Sequence, residues 1–367
     1  MNKELFELYS DYLLSSFGKT TATQLSSLLD GAFSHDQVTR LLSRNQFDSR
    51  TLWQYVKLVV RQVEQDDGVL IADDTIQEKL YSDENDLIAW HFDHTFGRSV
   101  KGINLLNFVY HVGDLSLPVA YELIEKPIQY TDLKTKKVKR KAEKTKNEYF
   151  RELLSVCCNN QLKFKYVLAD NWFSSNENMM YIRHDCNKHF VMACKSNRKV
   201  SLSEKDKKQG RSQRTDSVDF SEEKPIKVWI SGVDFPVLLY RQVFKNKDGS
   251  KGILYLLCSD LECDAEALKA IYKKRWKVEV FHKTLKSNAS MAKSPSHTVL
   301  TQSNHLFMSI YSAFRLEVLA SKLKLNHFEL RSKLYLCALR SSFQELQLMK
   351  KKNQVVNIDT MKGIEFM

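Results

Sequence analysis

Over residues 1–66 apolar positions recur at three- and four-residue intervals with no proline among them, which predicts a helical region. Within it, a helix over 22–29 runs into Asp30-Gly31-Ala32, and Ser34 with Gln37 forms a capping-box pair that starts a second helix. This outline suits a helix-turn-helix and equally an ordinary helical hairpin. After Asp66-Asp67-Gly68 the pattern changes to short continuous apolar runs, expected of strands buried on both faces. The first, 69–72, ends in Asp73-Asp74-Thr75; strands over 103–111 and 117–124 flank a turn at 112–114. A basic segment, 134–146 (KTKKVKRKAEKTK), leads into a helix over 148–157. The run 166–169 repeats the first pattern and ends in Asp170, and a further strand spans 189–194.

Residues 195–214 are polar and basic, expected as a loop, and 227–231, 235–244 and 253–258 read as strands with a turn at 247–249. Two amphipathic helices, 300–323 and 328–349, close the pattern. Together these elements predict an α/β protein: a mixed sheet, a β-rich stretch late in the chain, and helical regions at both ends.

The most informative window is 272–286 (YKKRWKVEVFHKTLK). On one helix at about 100° per residue, Tyr272, Arg275, Glu279, Lys283 and Lys286 share a stripe. Ile271, Val278, Phe281 and Leu285 form an apolar stripe beside it that can dock on a core. One carboxylate is thereby set among three cations and a phenol. The cations suit phosphates and the carboxylate suits a metal ion, although a solvated face with pairs such as Glu279 and Lys283 has the same pattern.

Composition narrows the partner. A net charge of +12 over 367 residues favours a polyanion. Seven cysteines without CxxC spacing fit a reducing compartment better than a disulfide framework. No run of about 18 apolar residues and no signal-peptide pattern is present, so neither a membrane span nor secretion is expected.

The strand-end acids Asp73 and Asp170 and the helical Glu279 make a set suited to phosphodiester chemistry, because hard divalent cations take oxygen ligands. An Asp at a strand end is by itself ordinary turn or cap chemistry. Other candidates are weaker. His91, Asp93 and His94 could ligate a soft metal; Cys258 and Cys263 lack zinc-site spacing. Gly18-Lys19-Thr20 imitates a phosphate loop but Leu13 replaces its first glycine, and no nucleophile elbow or dinucleotide fingerprint occurs.

Tyr272, Arg275, Glu279 and Lys286 match the Y-(2)-R-(3)-E-(6)-K signature, and the chain resembles the hairpin-forming, cut-and-paste insertion-sequence DDE transposases of bacteria. The resemblance covers about residues 67–300 and is weaker over the N-terminal region. It implies an RNase H-like catalytic core divided as 67–194 and 262–300. Between these parts lies an inserted β-rich domain (195–261), with a helical DNA-binding domain (1–66) and a helical C-terminal region (301–367) outside them. Asp73, Asp170 and Glu279 resemble the three catalytic acids and metal ligands. The family's Asp-x-Thr spacing selects Asp73, with Asp74 as the alternative.

Two Mg²⁺ ions, replaceable by Mn²⁺, are implied as cofactors. Tyr272, Arg275, Lys283 and Lys286 would bind DNA, and Tyr255 resembles the aromatic on which such enzymes stack a flipped base, here a tyrosine where a tryptophan is usual. The implied partners are transposon ends, target DNA and a second copy of the chain in a synaptic homodimer. The implied location is the bacterial cytoplasm, at the nucleoid when DNA is bound. Alternatives are an inactive transposase-derived regulator and a structure-specific RNase H-like nuclease.

Overall fold

A computed structural model describes residues 2–93, 97–220, 224–245 and 248–354. His94 of the candidate soft-metal group, Lys247 of the expected turn, and residues 355–367 of the C-terminal region lie outside the described residues. In chain order the elements begin with α1 (Lys3–Ser15), α2 (Ala22–Leu28), α3 (His35–Ser43) and α4 (Ser49–Val63). Then come β1 (Val69–Glu78), β2 (Ala89–Asp93), β3 (Arg98–Val112), β4 (Leu115–Leu123), β5 (Ile128–Thr131), β6 (Val138–Lys141) and α5 (Lys146–Asn159). β7 (Tyr166–Ala169), α6 (Asn176–His184), β8 (His189–Cys194), β9 (Lys199–Val200), α7 (Glu204–Lys208), β10 (Gln213–Arg214), β11 (Ile226–Val228), β12 (Val237–Lys245) and β13 (Lys251–Cys258) follow. The last helices are α8 (Ala265–Lys273), α9 (Trp276–Ser287), α10 (Val299–Leu323) and α11 (His327–Gln354).

Among the described residues nine strands form one sheet in the order β11-β12-β13-β8-β7-β1-β3-β2, with β4 also paired to β3. β7 lies parallel to both β1 and β8, and the other pairings are antiparallel. The central order β4-β3-β1-β7-β8, three antiparallel strands followed by two parallel ones, is the RNase H-like arrangement of an α/β core. The strands β11 to β13, within the β-rich stretch, add to this same sheet through β13 against β8.

The core explains why the apolar runs were legible. Leu70, Ile71, Ala72, Val167 and Leu168 are fully buried, as expected of strands covered on both faces. On one face Phe108 meets Phe150 of α5, which stacks on Phe173 at 5.2 Å. On the other, Val278, Phe281 and Leu285 of α9 are buried, each contributing roughly 1.5–3 kcal/mol of transfer free energy. The N-terminal helices pack on α10, where Tyr9 meets His305 and the stacked Phe47 and Phe307 rings lie 4.6 Å apart. α2 and α3 pack together, and the capping box at Ser34 and Gln37 is present.

Three expectations are corrected. β1 does not stop before Asp73 but continues to Glu78, because β3 pairs with it over its whole length. The loop expected over 195–214 contains β9, α7 and β10, and the basic segment contains β6. The window 272–286 is not one helix. α8 ends at Lys273 and α9 starts at Trp276, joined by bonds of three-residue span, from Lys274 N–H to Ile271 O and from Arg275 N–H to Tyr272 O. Such tight bonds turn the chain by about 120° per residue instead of 100°, so the single stripe of Tyr272 through Lys286 is broken at Arg275.

Candidate active site

The site is opened by a divergence of strands. β1 and β7 are paired only as far as Ile71 and Leu168. Asp73 and Asp170 each lie two residues beyond that last pair, so the two acids stand level where the strands separate. Across β1, Asp73 opposes Asn107 of β3, and the side chains of an opposed pair share one face. That face is covered by α9, where the Asn107 amide donates to His282 Nε2 at 3.1 Å. Burial, followed by the charge of Lys286, pushes the His282 imidazole down to about 3, so it is a neutral acceptor that holds α9 on β3. Glu279, on the same helix, lines a cleft of about 540 Å³ together with Asp73 and Asp170.

Arg275 ties the acids together. Its Nη1 donates to Asp73 Oδ2 at 3.1 Å and to Glu279 Oε1 at 3.4 Å. Burial raises the Asp73 carboxyl to about 8; Asp170 adds to the rise, Arg275 opposes it, and Glu279 and Asp74 raise it further. Burial also raises Asp170, against the backbone N–H of Trp172, which donates to its Oδ1 at 2.9 Å. Asp74 lines the same cleft but is held differently: its Oδ2 accepts from Asn104 at 2.8 Å and from Lys146, the first residue of α5, at 2.7 Å. Asp73 therefore engages the α8–α9 junction, and Asp74 the α5 side.

Lys283 and Lys286 are exposed at the cleft, with Lys283 Nζ 4.6 Å above the Phe328 ring. Tyr272 does not line it. Its ring lies beneath the Arg275 guanidinium at 5.8 Å, and burial pushes its phenol up to about 12. Tyr255 is not brought to the acids either: it is 7% exposed, packs against Phe220 at 6.0 Å, and borders a second cleft of about 690 Å³ with Asn171, Lys195 and Arg214. His91 faces the core, where burial pushes its imidazole down to about 3, while Asp93 reaches the acidic cleft.

Sequence reasoning missed several neighbours of the acids. Trp172, 40% exposed, stands 5.8 Å from both the Lys146 and the Lys195 ammonium groups. Its place two residues after Asp170 was a usable signal. The partnerships Lys146 with Asp74 and Asn107 with His282 join residues far apart in the chain and had none.

The donor set suits a hard divalent cation. Every acidic side chain at the cleft offers oxygen, and burial first, then three other carboxylates, push the Asp73 carboxyl up against the opposing charge of Arg275. Among the described residues no three metal-ligating side chains stand close enough to hold one ion as they are placed. Arg275 lies between two of the acids, so a bound cation would take over its role there.

A mixed sheet with carboxylates where parallel strands diverge, and a third from a helix across its face, defines an RNase H-like nuclease core. The chain belongs to the DDE superfamily endonuclease family, whose model matches residues 2–229. That stretch includes Asp73 and Asp170 and ends before Glu279. No curated protein matches the chain. Among the described residues no helix is long and apolar enough to cross a membrane.

Proposed function

We propose that this chain is a DNA transposase of the Y-R-E-K group, which binds the inverted repeats at its element's ends, excises the element and integrates it. The observation that carries this reading is the convergence of Asp73, Asp170 and Glu279 on one cleft with Lys283 and Lys286 beside them. Asp73, Asp170 and Glu279 would hold two Mg²⁺ ions, with Mn²⁺ as a substitute, which when bound supply Lewis acidity toward the attacking and leaving oxygens. Arg275, released from the acids, would fork onto a phosphate of the transposon end, and Lys283 and Lys286 would act as point charges on its neighbours. Tyr272 supports the Arg275 guanidinium from below.

In the proposed reaction water breaks a P–O3′ bond at the element's end and frees a 3′-hydroxyl. That hydroxyl attacks the phosphodiester of the opposite strand and expels the flanking DNA's 3′-oxygen, which closes a hairpin; a second water breaks the new P–O3′ bond, and the regenerated 3′-hydroxyl attacks a target phosphodiester and expels the target's 3′-oxygen. The α2–α3 pair, which exposes His35, Gln37, Thr39 and Arg40, would recognise the repeats as part of an N-terminal domain over 1–66. Residues 195–261 would act as the β insertion that carries Tyr255. Cutting both ends needs two active sites. The exposed Leu336, Leu339, Phe343 and Leu346 of α11, spaced by three and four residues, support a homodimer. Action at the nucleoid in the bacterial cytoplasm follows from the substrate.

The test is an end-labelled duplex carrying the DNA that flanks the gene, incubated with protein and Mg²⁺ beside Glu279→Ala. A hairpin-sized product from the wild type, absent with a variant that binds equally well, is expected. Binding without cleavage in Mg²⁺ or Mn²⁺ would replace the reading with a regulator, and cleavage without hairpin or strand transfer with a nuclease.

A further inference from the structure

The basic segment that the catalytic reading leaves unused folds as a two-stranded antiparallel ribbon, β5 with β6, separate from the main sheet. One of its feet, Lys146, stands at the acidic cleft, and the other leaves the sheet two strands away from β1. The chain leaves β4 at Leu123, which opposes Leu105, itself the partner of Thr75 two residues past Asp73. It returns at Lys146, whose ammonium binds Asp74 at 2.7 Å. Arg140 fastens the inner face, donating to Asp86 Oδ1 at 2.6 Å and to the Lys126 carbonyl at 3.2 Å.

The tip is built rather than slack. Asp132 Oδ1 accepts from the backbone N–H groups of Lys134 at 3.1 Å and Thr135 at 2.7 Å, and Lys136 adopts a left-handed φ of 57°. This conformation presents Lys134, Lys136 and Lys137, which are exposed and form no ion pair among the described residues. The exposed Tyr130, Leu133 and Val138 stand beside them. A two-stranded ribbon is also a shape that the major groove of a duplex admits.

We propose that this ribbon is a DNA-contacting finger that grips the duplex next to the scissile phosphate, with the three tip lysines on backbone phosphates. The inference rests on the transposase reading and adds a surface to it. Lys137 at the tip is nine residues from Lys146, which lines the cleft, so even a fully extended chain puts it at most roughly 31 Å from there. The contact therefore falls within one helical turn of the carboxylates, roughly 34 Å of duplex. Lysines as point charges make it sequence-independent.

The experiment measures affinity of the full chain for the end-labelled duplex against salt concentration, and its cleavage at saturating protein. Combining Lys134→Gln, Lys136→Gln and Lys137→Gln should make the slope of log K against log salt shallower by about 2.7, and Lys136→Gln alone by about 0.9. The corresponding triple change to Arg should keep the wild-type slope. A triple Gln variant with the wild-type slope, or an Arg variant that loses it, overturns the finger while wild-type cleavage leaves the transposase reading standing. A wild-type protein that neither binds nor cuts the duplex overturns both.

Discussion

The Arg275 guanidinium stands between two carboxylates of different elements, 3.1 Å from Asp73 and 3.4 Å from Glu279. In the DNA-free protein it fills the place where a cation would be attracted. Metal loading and the transfer of Arg275 to a phosphate should then be linked.

Arg275→Gln removes this competitor. If the ion pairs are worth roughly 1 kcal/mol, Mn²⁺ should bind the DNA-free variant about fivefold tighter than the wild type. Electron paramagnetic resonance of free Mn²⁺ reads this directly. Cleavage should fall at the same time, since the phosphate contact goes too. Equal Mn²⁺ affinities would show that the guanidinium does not compete.

Asp73 and Asp74 separate by substitution. Asp73→Asn should abolish cleavage and leave the fold intact. Asp74→Asn should retain cleavage but leave Lys146 without its carboxylate partner, costing about 1–3 kcal/mol of stability. Urea midpoints and the duplex gel measure the two effects, and the reverse pattern would transfer the ligand role to Asp74.

Acid stability should depend on His305. Its Nδ1 accepts from the Tyr9 hydroxyl and its Nε2–H donates to the Ser290 carbonyl, both at 3.0 Å. Burial pushes this imidazole down to about 4. The unfolded chain takes up a proton near the ordinary value of about 6.5 while the folded chain does not. This contribution is thus complete above about 6.5 and is lost as pH falls toward the folded value, at up to about 1.4 kcal/mol per pH unit. His305→Gln should therefore reduce the loss of urea-derived stability between about pH 6 and pH 5 by roughly 1 kcal/mol. Parallel curves would mean that the folded protein accepts the proton.

How far the chain was legible follows from what each segment packs against. β7, β8 and α10 lie in the core, so continuous apolar runs or helical spacing marked them within a residue or so. β5 and β6 are exposed along almost their whole length, and without a core face no alternation is imposed on the basic segment. The break at Lys274 and Arg275 was hidden because apolar residues continue on both sides of it. Asp73, Asp170 and Glu279 could be chosen by residue type and motif, but the roles of Arg275, His282 and Trp172 depend on strands and helices brought together only by folding.

The divergence of β1 from β7 has one more consequence. Beyond Ile71, β1 has β3 on one side and, among the described residues, no strand on the other. That leaves a stretch of edge inside a sheet, the kind of surface onto which a strand from another molecule can add. The polar carboxyl groups of Asp73 and Asp74 stand along it, where an apolar side chain would favour such an addition. The acids of the proposed site thus also disfavour the addition of a foreign strand there. Neutral polar replacements at these positions will report on chemistry, whereas apolar ones will report on aggregation as well.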